Sequence, residues 1–488
     1  MHPLICETVT ATSMAELLRG RDAVTAADLV ELRLDGVADL DVAGALAGRR
    51  RPVVVTCRPT WEGGRFDGPE AVRRAILEQA FACGAEYVDI EWRAGFDDLV
   101  RAQAGRVVLS AHDFHGVPAD LSGQAREMRR TGAGRIKIAV MPARLTDLLP
   151  LRAVAAEGPA IVIGMGGTGL PTRLLAAHFG SIWSYAGQGA APGQVPAVTM
   201  AEVFRFPAVT AATAVYGVVG NNVLHSLSPA MHNAAFTADG RDAVYVPFLP
   251  ADFADFLAFA DAFGIAGASV TIPYKLDALA AAQGRVDALT GTVGAANTLR
   301  RTAEGWDATN TDVDGFLAPL DVAYPGPLTG ARAAVLGAGG SARAVIVGLL
   351  TRGATVTVHA RRTTQADALA EALRVRSGPW PPPPGSWDLL VNCTPIGSSA
   401  APDASPLPGG PFDGRVVYDL TYRASGAGEA PLLVEARRAG CVTIDGLPML
   451  VAQAERQYAW WTGQAPSRGV MGTAARHRLD AGAARTHG

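Results

Sequence analysis

Eight short apolar runs, separated by stretches of helical periodicity, fill the first two hundred residues and leave few folds open. The runs are LICETV (4–9), DLVELRL (28–34), PVVVTCR (52–58), EYVDIEW (86–92), RVVLSAH (106–112), RIKIAV (135–140), PAIVIGM (159–165) and SIWSYAG (181–187). Between them lie segments such as GPEAVRRAILEQAFACG, whose apolar residues recur at helical spacing. Runs this rich in Val, Ile and Leu suit strands buried on both faces, and strands that alternate with helices pair in parallel. Eight such units predict a (β/α)8 barrel over residues 1–207.

The alternation restarts at AVYGVVGNN, and 488 residues are too many for one hydrophobic core. A two-lobed α/β unit is therefore expected, with one lobe over 213–315 and a second over 316–446. The helical stretch 447–470 is expected to pack back on the first lobe. Residues 471–488 lack apolar periodicity and are expected to be a disordered tail. The net charge of −3 argues against a nucleic-acid or anionic-membrane partner. No apolar stretch reaches membrane-span length, and MHPLICETV has no leader-like pattern. Five scattered cysteines without CxxC pairing suit the cytoplasm and give no metal signal.

Lys137 interrupts a β-type run, where burying an unpaired charge is costly. An ordinary explanation is a stem that packs while the ammonium reaches the rim and pairs with a carboxylate. Its company suggests more. Strand ends of a barrel carry its chemistry, and here they present Glu31, Arg33, Arg58, Glu62, His112, Lys137, Arg173 and Gln194. A lysine in a partly desolvated, cation-rich site is in part a free amine able to attack a carbonyl. The iminium acidifies the adjacent C–H, and His112 suits removal of that proton, with Glu62 orienting the imidazole.

The motifs ELR (31–33), TCRPTWEGG (56–64), SAHDF (110–114), RIKIAVMP (135–142) and APGQ (191–194) together resemble type I 3-dehydroquinate dehydratase. The resemblance implies a Schiff base between Lys137 and 3-dehydroquinate, with His112 as general acid and base. It implies that Glu31, Arg33, Arg58, Arg173 and Gln194 bind substrate. One departure is Ala190, where the family usually has serine.

In the second half, SLSP (226–229) fits a helix start capped by Ser228 with Pro229 in the first turn. Lys275 and Asp312 are ordinary surface residues taken singly, but as a pair in one cleft they can move a proton. GAGGSARA (337–344) follows a strand and opens a helix, the setting of a pyrophosphate-binding turn. Where an NAD site usually carries an acid, this chain has Arg361 and Arg362, which favour the 2′-phosphate of NADP.

Together SLSPAMHN, SVTIPYK, ANT, NTD, GAGGSARA, NCTPIG, YDLTY and DGLPMLVAQ resemble shikimate dehydrogenase over about 213–465. This implies a substrate-binding domain at 213–315 and a Rossmann-type NADP domain at 316–446. It implies that Ser226, Ser228, Thr271, Asn297, Asp312, Tyr422 and Gln453 contact shikimate, with Lys275 as the proton-transfer residue. Gly337, Ala338, Gly339, Gly340 and Ser341 would cradle the cofactor phosphates. Leu420, Gly446 and Met449 would line the nicotinamide pocket. Departures are Ser269, Ala360 and Pro448, where the family often has asparagine, asparagine and glycine.

The two resemblances predict successive reactions: dehydration of 3-dehydroquinate to 3-dehydroshikimate, then reduction to shikimate with NADPH. One alternative is a catabolic NAD-dependent quinate/shikimate dehydrogenase, which the two arginines oppose. Another is a non-catalytic quinate sensor, which Lys137, His112, Lys275 and Asp312 oppose.

Overall fold

All eight expected strands of the first segment form: β1 (Leu4–Thr10), β2 (Leu29–Arg33), β3 (Val53–Thr56), β4 (Tyr87–Glu91), β5 (Val107–Asp113), β6 (Arg135–Val140), β7 (Ala160–Gly164) and β8 (Trp183–Ala186). They pair in the order β7-β6-β5-β4-β3-β2-β1-β8, and the Ile182 amide donates to the Ala160 carbonyl at 3.0 Å where the ends meet. The computed structural model describes residues 2–187, 189, 192–398, 401–423 and 428–486. The substitution at Ala190 lies outside the described residues.

Cys6, Leu29, Val54, Val108, Ile161 and Trp183 meet in a buried cluster, and each large apolar side chain so buried contributes about 1.5–3 kcal/mol. Parallel register sets polar residues beside one another above it. Thr8 lies opposite Glu31, Thr56 opposite Asp89, and Ser110 opposite both Glu91 and Lys137. Successive side chains of a strand alternate faces, so Asp89 and Glu91 share one face of β4.

Next come β9 (Ala214–Val219) and β10 (Ala243–Phe248). The compact units are Met1–Val215 with Asp242–Gly264, and Tyr216–Arg241 with Ile265–Gly488. Residues 242–264, which carry β10 and the helix Phe253–Phe263, group with the barrel residues, while β10 is an edge strand, beside β9, of a separate five-stranded sheet. Asp255 is 1% exposed and accepts from the Leu145 amide (2.8 Å), the Thr146 amide (3.0 Å), the Thr146 hydroxyl (2.8 Å) and the Ala251 amide (3.1 Å). Phe263 packs its ring 5.0 Å from that of Phe179. A buried carboxylate is tolerated only with such a full set of donors.

In the second unit, β11 (Gly267–Val270) pairs parallel with the Tyr216–Val219 part of β9, and antiparallel with β12 (Thr298–Thr302), which pairs antiparallel with β13 (Gly305–Thr309). Six parallel strands follow: β14 (Arg332–Leu336), β15 (Thr355–His359), β16 (Arg376–Gly378), β17 (Leu389–Asn392), β18 (Val416–Asp419) and β19 (Val442–Ile444). Their order, β16-β15-β14-β17-β18-β19, is the doubly wound dinucleotide-binding arrangement, whose ligand crevice lies where the order reverses, between β14 and β17.

Helix Leu447–Thr462 packs against helix Asp312–Ala323. Gly315 permits the approach, since a Cβ there would meet Gln453 Cβ at 2.6 Å. The tail expected to be disordered instead forms helix Val470–Thr486, which packs on helix Ser228–Ala238. Met471 and Ala475, four apart and fully buried, explain it: two small anchors on one face suffice where a long apolar period is lacking.

Candidate active sites

At the carboxyl ends of the barrel strands lies a cavity of about 190 Å³ lined by Glu31, Arg33, Arg58, Glu62, His112, Lys137, Arg173, Tyr185 and Gln194, among others. Every barrel residue expected in the site is among them. Lys137 rises from β6 with Nζ 3.2 Å from Asp89 Oδ2 and 3.6 Å from Glu31 Oε1. This corrects the expected cation-rich surroundings: the nearest charged groups to the amine are carboxylates. Glu31 is held in turn by the hydroxyls of Thr8 and Thr56, each at 2.9 Å, and Gln194 Nε2 donates to Thr8 at 3.3 Å.

Arg58 is the hub of a buried charge network. Its guanidinium reaches Asp89 at 2.9 Å, Glu91 and the Ser110 hydroxyl at 2.8 and 2.7 Å, and Glu62 at 3.4 Å. Glu91 is also paired with the fully buried Arg73. Arg33 forms a two-point pair with Asp35, both bonds 2.8 Å. Arg173 is different: it donates to the carbonyls of Tyr185 (3.0 Å) and Pro192 (3.4 Å), and its buried Nε has no partner among the described residues. Burial lowers its pKa to about 10, so it remains a cation at neutral pH. Of the three arginines it is therefore the one with charge in hand for a ligand carboxylate.

His112 Nδ1 lies 3.2 Å from Glu62 Oε2. Burial, then the nearby Arg58 and Lys137 cations, push the imidazole well below its usual range, so it is neutral and able to accept a proton. Burial outweighs Arg58 at Glu62 and raises its carboxyl to about 7. Above that pH the carboxylate accepts the Nδ1 proton of His112, which leaves Nε2 with its lone pair free. Activity of this site is thus expected to rise with pH through about 7 in the wild type, while Glu62→Gln flattens that limb. The kcat/KM profile checks this; a limb that persists in the variant belongs to another group.

In the second unit Lys275 Nζ lies 2.5 Å from Asp312 Oδ2. Asn297 Nδ2 donates to the other oxygen, Asp312 Oδ1, at 2.8 Å and approaches Gln453 Oε1 at 3.4 Å. The structure thus joins half-buried Lys275 to the buried Asp312, Asn297 and Gln453 in one chain. Thr271 follows β11, directly beside Gly220, where a Cβ would strike the Thr271 methyl at 2.5 Å. Ser228 is the first residue of helix Ser228–Ala238 rather than its cap, and the Ser226 hydroxyl accepts its amide at 3.2 Å. The difference is one residue: Leu227 has already entered the helical region, so the cap-like role moves back to Ser226. Ser269 donates to Gln457 at 2.7 Å, and Pro448 sits in the first turn of its helix, where a missing N–H costs nothing.

The turn Gly337–Gly340 joins β14 to helix Gly340–Thr351, which includes Ser341. Gly337 has φ +102°, and a Cβ there would be 3.2 Å from the Thr394 methyl; the space beside Gly339 is open. This cradle fits a pyrophosphate against amides at a helix start. Ala338 lies in the turn, Arg361 and Arg362 are exposed just beyond β15, and Ala360 is buried. Leu420 and Tyr422 follow β18; a Cβ at Gly446 would meet the Leu420 carbonyl at 2.1 Å, so glycine is required there, with Met449 buried one turn on.

Residues that the sequence did not single out but that the structure sets against the two clusters are Asp89, Glu91, Ser110 and Tyr185 in the barrel and Asp419 in the second unit. Two acids alternating within EYVDIEW were the available signal for the first pair. Asp419, raised by burial, accepts from Asn392 (2.9 Å) and from the Thr421 amide and hydroxyl (3.0 and 2.9 Å), which ties NCTPIG to YDLTY.

Residues 5–210 match the family model described as Type I 3-dehydroquinase, 218–299 the shikimate dehydrogenase substrate binding domain, and 446–476 the shikimate 5′-dehydrogenase C-terminal domain. The bifunctional 3-dehydroquinate dehydratase/shikimate dehydrogenase, chloroplastic, of Arabidopsis thaliana is 30% identical across 94% of this chain and 82% of its own. Shikimate dehydrogenase (NADP(+)) of Anaeromyxobacter sp. (strain Fw109-5) is 39% identical across 54% of this chain and 97% of its own. A crystal structure of shikimate dehydrogenase in complex with NADP+ is similar over 56% of this chain and 97% of that one, with 32% identity and a TM-score of 0.50.

Proposed function

Because the chain belongs to the family of bifunctional 3-dehydroquinate dehydratase/shikimate dehydrogenases, we propose that Lys137 forms a Schiff base with 3-dehydroquinate and that the Lys275–Asp312 pair serves the reduction of the product. The enzyme is both a lyase and an oxidoreductase of the shikimate pathway. The observation that carries the mechanism is the union, in one cavity, of Lys137 between two carboxylates and neutral His112 against Glu62.

Arg173 binds the substrate carboxylate. Lys137, as free amine, adds to the C3 ketone; loss of water gives an iminium whose positive nitrogen draws electrons from the adjacent bond. His112 Nε2 takes the proton from C2, and the enamine expels the C1 hydroxyl, which His112 protonates as water. Hydrolysis of the iminium returns Lys137 and releases 3-dehydroshikimate. Glu31 and Gln194 bind ring hydroxyls, while Arg58 holds Asp89, one of the two acids beside the amine.

In the second unit Gly337–Ser341 would hold the pyrophosphate of NADP, with Leu420, Gly446 and Met449 about the nicotinamide. When bound, NADPH supplies the hydride. Asn297, Gln453, Ser226, Ser228, Thr271 and Tyr422 orient the ring, and Lys275 gives a proton to the ketone oxygen as it becomes a hydroxyl. Asp312 accepts from Lys275 Nζ at 2.5 Å and so fixes where that nitrogen points.

Arg361 and Arg362 support NADP over NAD. The double variant Arg361→Ala/Arg362→Ala is expected to raise KM for NADPH by about tenfold or more with little change for NADH, since two charge-assisted contacts to the 2′-phosphate are lost. Steady-state kinetics with both cofactors checks it; equal changes would remove the 2′-phosphate role. The five unpaired thiols support a cytoplasmic location. The test of the whole reading is a coupled assay: purified chain supplied with 3-dehydroquinate and NADPH is expected to yield shikimate, and accumulation of 3-dehydroshikimate alone would reject the second half.

A further inference from the structure

Tyr185 stands on β8, 3% exposed, and faces the same cavity as Lys137. The Lys137 nitrogen lies 4.1 Å from the centroid of its ring, within the ~6 Å range over which an aromatic face attracts a cation. We propose that the π face of Tyr185 is an electrostatic element of the dehydratase site, steadying the positive charge on the Lys137 nitrogen from ammonium through protonated imine. The proposal rests on the Schiff-base reading above.

Chemistry distinguishes the ring from the other neighbours of that nitrogen. Asp89 and Glu31, at 3.2 and 3.6 Å, attract the positive charge. Burial at Asp89 is outweighed by Arg58 and Lys137, which hold it well below the usual carboxylate range, so the Glu31 carboxylate is the neighbour that can draw the proton off the imine. A neutral imine is a poor electron sink, so deprotonation there stalls loss of the C2 proton. The aromatic face attracts the same charge without basicity. Burial and the nearby Glu31 carboxylate hold the phenol well above its ordinary range, so the side chain presents a neutral ring and not a phenolate.

The ring is also held in place. β8 is in register with β1, Tyr185 opposite Cys6, and the Tyr185 carbonyl accepts from Arg173 at 3.0 Å. Ile161, Ile163 and Met165 share its buried cluster. The anchor proposed for the substrate carboxylate therefore fastens the strand that carries the ring.

The test places phenylalanine, then phenylalanines bearing one, two and three ring fluorines, at position 185 of the full-length chain. Fluorine withdraws electron density from the face with little change in shape. Tyr185→Phe is expected to keep dehydration close to wild type, and the fluorinated series to lower kcat stepwise to about a tenfold loss. Tyr185→Leu is expected to lose at least as much. Shikimate oxidation by the same samples is expected to stay unchanged, which controls for folding. A flat fluorine series, or wild-type kcat in Tyr185→Leu, overturns the proposal. Borohydride reduction with 3-dehydroquinate separates the two ideas. An adduct on Lys137 together with a flat series rejects the ring alone, whereas no adduct in the wild type rejects the Schiff base and the ring with it.

Discussion

Lys137→Ala is expected to abolish dehydration of 3-dehydroquinate while oxidation of shikimate by the same preparation continues nearly unchanged. The amine is the nucleophile, and nothing else in the cavity replaces it: His112 is positioned as a base, and the arginine side chains are permanently protonated and do not add to ketones. Removing it also leaves Asp89 and Glu31 without one cation. Both keep other partners, since Asp89 is bound by Arg58 at 2.9 Å and Ser110 at 2.6 Å, and Glu31 by two threonine hydroxyls. The site should therefore persist without its reactive group. Lys137→Arg sharpens the result: it restores a positive charge but no nucleophile, and is expected to be equally inactive. Activity in the arginine variant would mean that the charge, and not the covalent bond, is what the reaction needs. Loss of both activities in either variant would contradict two independent sites.

Lys275→Ala is expected to lower reductase turnover by about 10²–10⁴, the range of a single well-placed acid or base. Asp312 remains held by Asn297 at 2.8 Å, so the cleft keeps its geometry while its proton donor is lost. The decrease is expected in kcat more than in KM for 3-dehydroshikimate, because Asn297 and Gln453 remain. Unchanged turnover would assign the proton to another group. Dehydration, measured in parallel, should be unaffected.

Much of this was readable from the chain because the signals are local. Val- and Ile-rich runs mark the barrel strands, and Lys137, His112 and Glu62 each stand out as the wrong polarity for their surroundings. Asp89 and Glu91 are as anomalous, yet their purpose is set by the partner strands: Ser110 on β5 and Lys137 on β6 give them meaning only once the register is formed. Arg58 shows the same limit. Its charge was legible, but its commitment to Asp89 and Glu91 depends on β4, a separate strand, and that to Glu62 on the turn that folds its own segment back. The tail failed for a different reason, because Met471 and Ala475 carry too little apolar surface to announce a helix without the surface they meet. The two acids flanking Lys137 also change how its sequence context is understood, from an amine crowded by cations to one poised between anions and an aromatic face.

The Asp255 clasp bears on how this enzyme could be taken apart. A gene cut before Thr213, the natural choice for producing the dehydratase alone, discards the carboxylate that receives the Leu145 and Thr146 amides just past the lysine strand. Each stranded donor costs about 1–3 kcal/mol if it stays out of water, and the Phe179 ring is bared as well. A fragment ending there is thus expected to be less stable than the barrel within the full chain, and a redesigned turn after the lysine strand that meets those amides itself is expected to recover the difference.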